Sequence, residues 1–274
     1  MTTTDAPTTQ SDGSPSTPGI FPARRQSVLL PPLPKTASPV PSLTSIHAVD
    51  GRGPYGDSRY RGNCSGLLIR DLLKYYQPSR VLDPMAGGGT CRDVCRELGI
   101  TCRSFDLHAG FDAQDEKWYQ GLGEFDFIWL HPPYWKMICY GDDPRCLSNA
   151  PTLVDFQRRL RRVIRNCHSV LAQCGHLAIL MGDGKHEGEY LGLPFRTLWL
   201  AFLENLWLAA PEIVRFQHGA TSSTKEYSTS FIPRLHDICL VLKTHRHISS
   251  SLRRPPSKEN QKCHPPATNA TANK

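Results

Sequence analysis

Apolar residues run through the middle of the chain in two alternating rhythms. In LLIRDLLKYY (67–76) they recur at steps of three and four, the period of a helix with one buried face. RVLDP (80–84) is a short apolar run of strand length. TCRDVCRELG (90–99) returns to the helical period and closes on Gly99, a residue that tolerates the left-handed stop of a helix. TCRSFD (101–106) and FDFIWL (125–130) predict strands. PTLVDFQRRLRRVIRNCHSVLAQCG (151–175) predicts one long amphipathic helix ending at Gly175. Then HLAILMG predicts a strand, TLWLAFLENLW a helix, and IVRFQH and DICLVLK two strands. Strands alternating with helices predict right-handed βαβ crossovers and a parallel sheet covered on both faces. The last two strands have no helix between them, which predicts an antiparallel pair. The expected fold is therefore α/β: a mostly parallel sheet flanked by helices, with an antiparallel strand near the end.

The ends of the chain break this pattern. Residues 1–48 are rich in Pro, Ser and Thr, as in SDGSPSTPG, and residues 248–274 read the same way. Such segments bury too little apolar surface to offset their ordering entropy, so both are expected to be disordered tails around a folded domain of residues 49–247. The net charge of +7 divides into +1, +2 and +4 over these three stretches. The domain is nearly neutral, and net charge gives no argument for nucleic-acid binding. The longest apolar segment, LPFRTLWLAFLENLWLAAP, contains Arg196, Glu204 and Asn205 and predicts a buried helix rather than a membrane span. Met1 leads into polar residues rather than a secretory signal, so a cytoplasmic location and reduced cysteines are expected. Among the ten cysteines, Cys91, Cys95 and Cys102 lie near one another in sequence, but no pair has the two-residue gap of a zinc or redox motif, and no metal is expected.

The chemistry concentrates at two strand ends. VLDPMAGGGT (81–90) joins a strand to a helix. Gly87, Gly88 and Gly89 permit positive φ and let a ligand lie against bare backbone, beside the free N–H groups of a helix start. No Lys follows the last Gly, so this is not a phosphate loop. Asp83 within the turn suits a cationic or hydroxyl-bearing ligand. Asp106 ends the next strand, where a carboxylate can take a ribose diol. Asp112 follows in a loop where an adenine amine could be read. In order, the three acids describe a nucleoside site without a phosphate loop. At the second strand end, FDFIWL stops at His131 and meets Pro132, Pro133, Tyr134 and Trp135.

VLDPMAGGGT resembles motif I of S-adenosylmethionine-dependent methyltransferases, in particular the DNA amino-methyltransferases acting on adenine N6 or cytosine N4. HPPY (131–134) resembles their second signature, in which Asp, Asn or Ser precedes Pro-Pro and an aromatic. The likeness covers roughly residues 60–245. It implies a Rossmann-like class I methyltransferase fold, with a sheet of seven strands, mostly parallel and one antiparallel, flanked by helices, and S-adenosyl-L-methionine as cofactor, held by Asp83, Pro84, Ala86, Gly87, Gly89, Thr90, Asp106 and Asp112. It implies methyl transfer to the exocyclic amine of a base in DNA. The side chain of His131 and the carbonyl of Pro132 would accept the two amine hydrogens, Pro133 would stiffen the turn, and Tyr134 would stack on a base extruded from the duplex. His131 departs from the pattern, because a neutral imidazole has one acceptor nitrogen and no negative charge. An RNA base as substrate and a DNA-binding protein without turnover are the alternatives.

Further substrate contacts are expected from Trp135 and from Ser222, Ser223, Lys225 and Tyr227 in the polar loop at 217–234. Arg158, Arg159, Arg161, Arg162 and Arg165 form either a phosphate-binding stripe or the solvated face of an outer helix. The loop at 136–149 is placed to close over the HPPY turn. No segment is large enough for a separate target-recognition domain, and the oligomeric state is left open.

Overall fold

The computed structural model describes residues 32–49, 51–216, 230, 232 and 234–244. Its strands are β1 (Ile46–His47), β2 (Arg80–Asp83), β3 (Thr101–Ser104), β4 (Phe125–Leu130), β5 (Leu171–Met181), the short pair β6 (Lys185–His186) and β7 (Glu189–Tyr190), β8 (Leu206–Leu208), β9 (Ile213–Phe216) and β10 (His236–Thr244). The helices are α1 (Gly66–Tyr76), α2 (Thr90–Leu98), α3 (Leu153–Ser169) and α4 (Leu193–Leu203). The main sheet has eight strands in the order β1-β9-β10-β5-β4-β2-β3, with β8 pairing β10 off this path. β3, β2, β4 and β5 run parallel, and β10 is antiparallel to β5, β8 and β9. This is the expected Rossmann-like arrangement, with eight strands where seven were anticipated.

The alternation of side chains along β4 explains why the sheet is covered on both sides. Phe127 and Trp129 pack with Leu68 and Leu72 of α1 and Val94 of α2. Ile128 and Leu130 pack on the opposite face with Phe156, Leu160 and Ile164 of α3. A strand buried on both faces has to be apolar throughout, as FDFIWL nearly is. Ser65 caps α1 by accepting the Leu67 N–H, and Gln77 ends it in the left-handed region.

Three sequence expectations need correction, and one open choice narrows. Helix α3 stops at Ser169 rather than Gly175. Residues 171–181 are strand, and their register against β4 slips between Phe125 and Phe127. Gly175 sits at that irregularity, where a Cβ would lie 3.0 Å from the Phe125 carbonyl oxygen, so it serves a bulge and not a helix stop. The helix read at 197–207 begins earlier, at Leu193, and ends at Leu203. Asn205 turns the chain at φ 58°, and LWL pairs with β10 as β8. The expected tail boundary at 48 falls too late. Ile46 and His47 pair with Val214 and Arg215 of β9, and buried His47 meets the Asp71 carboxylate at 3.2 Å. Finally, α3's arginines are largely engaged within the fold. Arg161 and Arg165 pair with Glu204, Arg158 pairs with Asp155, and Arg159 donates to the Pro144 carbonyl. That favours the solvated-face reading over the phosphate stripe.

From β2 the chain crosses to β3 on one side and then to β4 on the other. The direction of winding reverses between β2 and β4, and a crevice opens beyond their carboxyl ends. VLDP and HPPY leave the sheet at these two ends.

Candidate active site

One cavity of ≈ 130 Å³ occupies that crevice. Its mouth is open to solvent. Of the residues anticipated for the cofactor, Asp83, Pro84, Ala86, Gly87, Thr90, Asp106 and Asp112 line it, as do His131, Pro132, Pro133 and Tyr134 from the second motif. Gly89 is the N-cap of α2, with φ 80°.

The glycine turn is built mainly from backbone. The Ala86 N–H donates to the Phe105 carbonyl, and the Phe105 N–H to the Asp83 carbonyl, each at 2.8 Å. The Asp106 carboxylate accepts the Gly87 N–H at 2.9 Å with one oxygen and the His108 N–H at 3.0 Å with the other. Each oxygen keeps a lone pair for a ligand. Gly87 is needed twice over: its φ is +47°, and a Cβ there would lie 2.8 Å from the Tyr60 ring. Asp112 accepts from the Gln114 N–H at 3.0 Å. Asp83 is buried, and that burial, with Cys102 next in effect, raises its carboxyl far above the usual range, against the Met85 N–H and Arg92. A cation beside it would restore the ionised form.

A cover over this turn escaped the sequence reading. Residues 55–64 cross the glycines: the Asp57 N–H donates to the Gly88 carbonyl at 2.8 Å, the Gly56 N–H to the Asp93 carboxylate at 2.8 Å, and Thr90 hydrogen-bonds Asn63. Tyr60, Asn63 and Cys64 thereby enter the cavity wall. The signal was the glycine- and tyrosine-rich stretch GRGPYGDSRYRGN directly before α1. The loop at 136–149 closes from the other side, contributing Met137, Ile138, Tyr140 and Arg145 to the wall. Tyr140 stacks on Tyr60 with ring centroids 5.8 Å apart, joining the two covers.

At the HPPY turn, His131 Nε2 lies 3.0 Å from the Tyr134 hydroxyl. Desolvation lowers the imidazole pKa to about 4, Asp237 opposing and Arg215 assisting. The ring is therefore neutral at physiological pH. Arg215 of β9 and Asp237 of β10 form a buried ion pair behind the turn. Gly182, just after β5, completes the support: a Cβ there would lie 2.5 Å from Asp237 Oδ1 and 2.7 Å from Tyr134 Cε2. Neither the ion pair nor Gly182 was legible from sequence. Trp135 does not reach the cavity. It is buried, its indole N–H donates to the Ala150 carbonyl at 2.8 Å, and its ring packs edge-on to His186. It anchors the turn, and its expected contact with substrate is corrected accordingly. Ser222, Ser223, Lys225 and Tyr227 lie outside the described residues. No helix among the described residues is long and apolar enough to cross a membrane.

No protein-family model matches this sequence, nor does any curated protein. Among solved structures, TrmN from Thermus thermophilus is 17% identical over 68% of this chain and 50% of its own, with a TM-score of 0.39. A putative DNA modification methylase from the same organism, complexed with S-adenosyl-L-methionine, is 18% identical over 55% of this chain and 56% of its own, TM-score 0.35. A SAM-dependent methyltransferase from Archaeoglobus fulgidus is 14% identical over 67% and 96%, TM-score 0.40. The chain thus spans about half the length of the two Thermus proteins.

Proposed function

We propose that the protein is an S-adenosyl-L-methionine-dependent methyltransferase that acts on the exocyclic amine of a base in DNA, adenine N6 or cytosine N4. The observation that carries this reading is the meeting, in one crevice between β2 and β4, of the glycine turn with its three acids and the HPPY turn. The residues fit the cofactor. The glycine turn lines the cavity beneath the cover of residues 55–64, and Asp106 retains lone pairs for a diol. Phe111 and Leu107 offer apolar surface to an adenine, and Asp83 gains by meeting a cation. When bound, the cofactor supplies an electrophilic methyl group on a sulfonium.

The chain's own part is to make a poor nucleophile better. An exocyclic amine delocalises its lone pair into the ring. Accepting both of its hydrogens favours a pyramidal nitrogen with the lone pair free. The Pro132 carbonyl is one acceptor, held by two prolines of fixed φ. His131 is the other through Nδ1, which requires Nε2 to carry the ring proton and donate to the Tyr134 hydroxyl. In that tautomer the Tyr134 hydroxyl accepts the Nε2 proton, and its ring stands beside the turn. The depressed imidazole pKa keeps the acceptor available at neutral pH.

The test is incubation with labelled S-adenosylmethionine and separate DNA and RNA pools, followed by nucleoside mass spectrometry. Methyl label on adenine or cytosine of DNA is the expected result. Label confined to RNA moves the substrate, and binding of the cofactor without any label sinks turnover.

A further inference from the structure

The face of α2 turned toward β3 carries a group of side chains that methyl transfer does not use. Cys91 and Cys95 stand four residues apart on one helix face, and Cys102 on β3 lies against them. Their sulfur atoms all fall within 4.8 Å of one another. Cys91 and Cys95 are buried, Cys102 is partly exposed, and all three are free thiols. Three thiolates bound at about 2.3 Å around one ion stand roughly 4 Å apart, so the trio needs less than about 1 Å of contraction to close on one.

We propose that Cys91, Cys95 and Cys102 form a three-thiolate site for a thiophilic d¹⁰ cation, Zn²⁺ foremost. An all-sulfur donor set selects soft and borderline ions and disfavours Mg²⁺ and Ca²⁺, which require oxygen. On binding, three Zn–S bonds form and each sulfur that carries a proton releases it to solvent; no electron is transferred. The site would tie the first turns of α2 to β3. Cys91 also lines the ligand cavity and follows Thr90 of the glycine turn, so the ion would brace the floor on which that turn rests. This inference goes beyond the proposed methyl transfer and is tested without it.

The experiment uses the full chain, reduced, stripped with chelator and titrated with Zn²⁺ or Co²⁺. One ion per chain should survive gel filtration. The cobalt form should show thiolate-to-metal charge-transfer absorption, and X-ray absorption of the zinc form should count three sulfur ligands. Cys102→Ser alters the partly exposed member. It should abolish the charge-transfer band and weaken zinc by more than the roughly 10–100-fold caused by losing an outer-shell partner. Cys139→Ser, an exposed cysteine outside the trio, should leave both unchanged. Failure to retain an ion, a shell of nitrogen and oxygen only, or equal affinity in Cys102→Ser would each overturn the site. Should Cys102→Ser fail to fold, as a melting curve would reveal, the sulfur count on the parent protein decides alone.

Discussion

The glycine-turn side of the cavity and the HPPY side differ in what holds their polar groups. On the first side the partners are close in sequence and mostly backbone: Asp106 grips the N–H groups of Gly87 and His108, and Asp112 that of Gln114. On the second, His131 and Tyr134 lean on residues about fifty to a hundred positions away, Gly182, Arg215 and Asp237, the first just after β5 and the others on β9 and β10. The first side is a local device that a short motif can encode. The second is a turn propped by a buried ion pair, whose cost in desolvation is recovered only when every partner is in place.

Substitutions on each side test this contrast. The largest effect should come from His131→Ala, which removes an amine acceptor: turnover should drop about 10²–10⁴-fold while calorimetry still detects cofactor binding. Equal turnover would strip His131 of its chemical role, and loss of cofactor binding would show that the two sides are not separable. Next, Asp237→Ala leaves the Arg215 guanidinium, whose side chain is only 13% exposed, buried without its counter-charge. Stability in urea should decrease by about 3–5 kcal/mol. A change under about 1 kcal/mol, the size of an exposed pair, would mean that the HPPY side stands without its prop.

A smaller effect is expected at Asp106, where alanine removes a charged acceptor available to a ribose and also frees the Gly87 N–H. Cofactor affinity should weaken by about 1.5–3 kcal/mol, and melting without cofactor should change little. Smaller still, a chain beginning at residue 49 loses β1 and the His47 partner of buried Asp71, whose carboxyl is held below its ordinary range against burial by His47 and Arg70. A loss of about 1–3 kcal/mol is expected; an unchanged melting curve would return residues 40–48 to the tail.

The smallest effect is an absence. An ordinary histidine would give activity an inflection near pH 6.5, but burial pushes His131 down to about 4, so turnover should show no His131 step between roughly pH 5.5 and 8. The sign follows from linkage. The folded state resists protonating this ring, so stability is undiminished above about 6.5 and falls as pH drops from there toward about 4. An NMR resonance assigned by its absence in His131→Ala should titrate near 4. One titrating near 6.5, the ordinary value, would show that the ring is solvated and the turn open.

Features that depend on neighbours along the chain could be read from the sequence alone. The helices α1 and α2, the strands β2 to β4, the glycine turn and the order of Asp83, Asp106 and HPPY were all legible, because periodicity, glycine conformations and motif spacing act within a few residues. The tertiary structure decided the rest. Gly175 looks like a helix stop and becomes a strand irregularity because β4 pairs with residues 171–181. Trp135 looks like a stacking platform and turns inward because the Ala150 carbonyl needs a donor. The cover formed by residues 55–64 shows no apolar period, since it is held by polar contacts to the glycine turn and Asp93. Cys102 joins Cys91 and Cys95 only through the α2–β3 packing. Each of these rests on partners supplied by distant segments, and a single chain read in order carries no record of which distant segment will arrive.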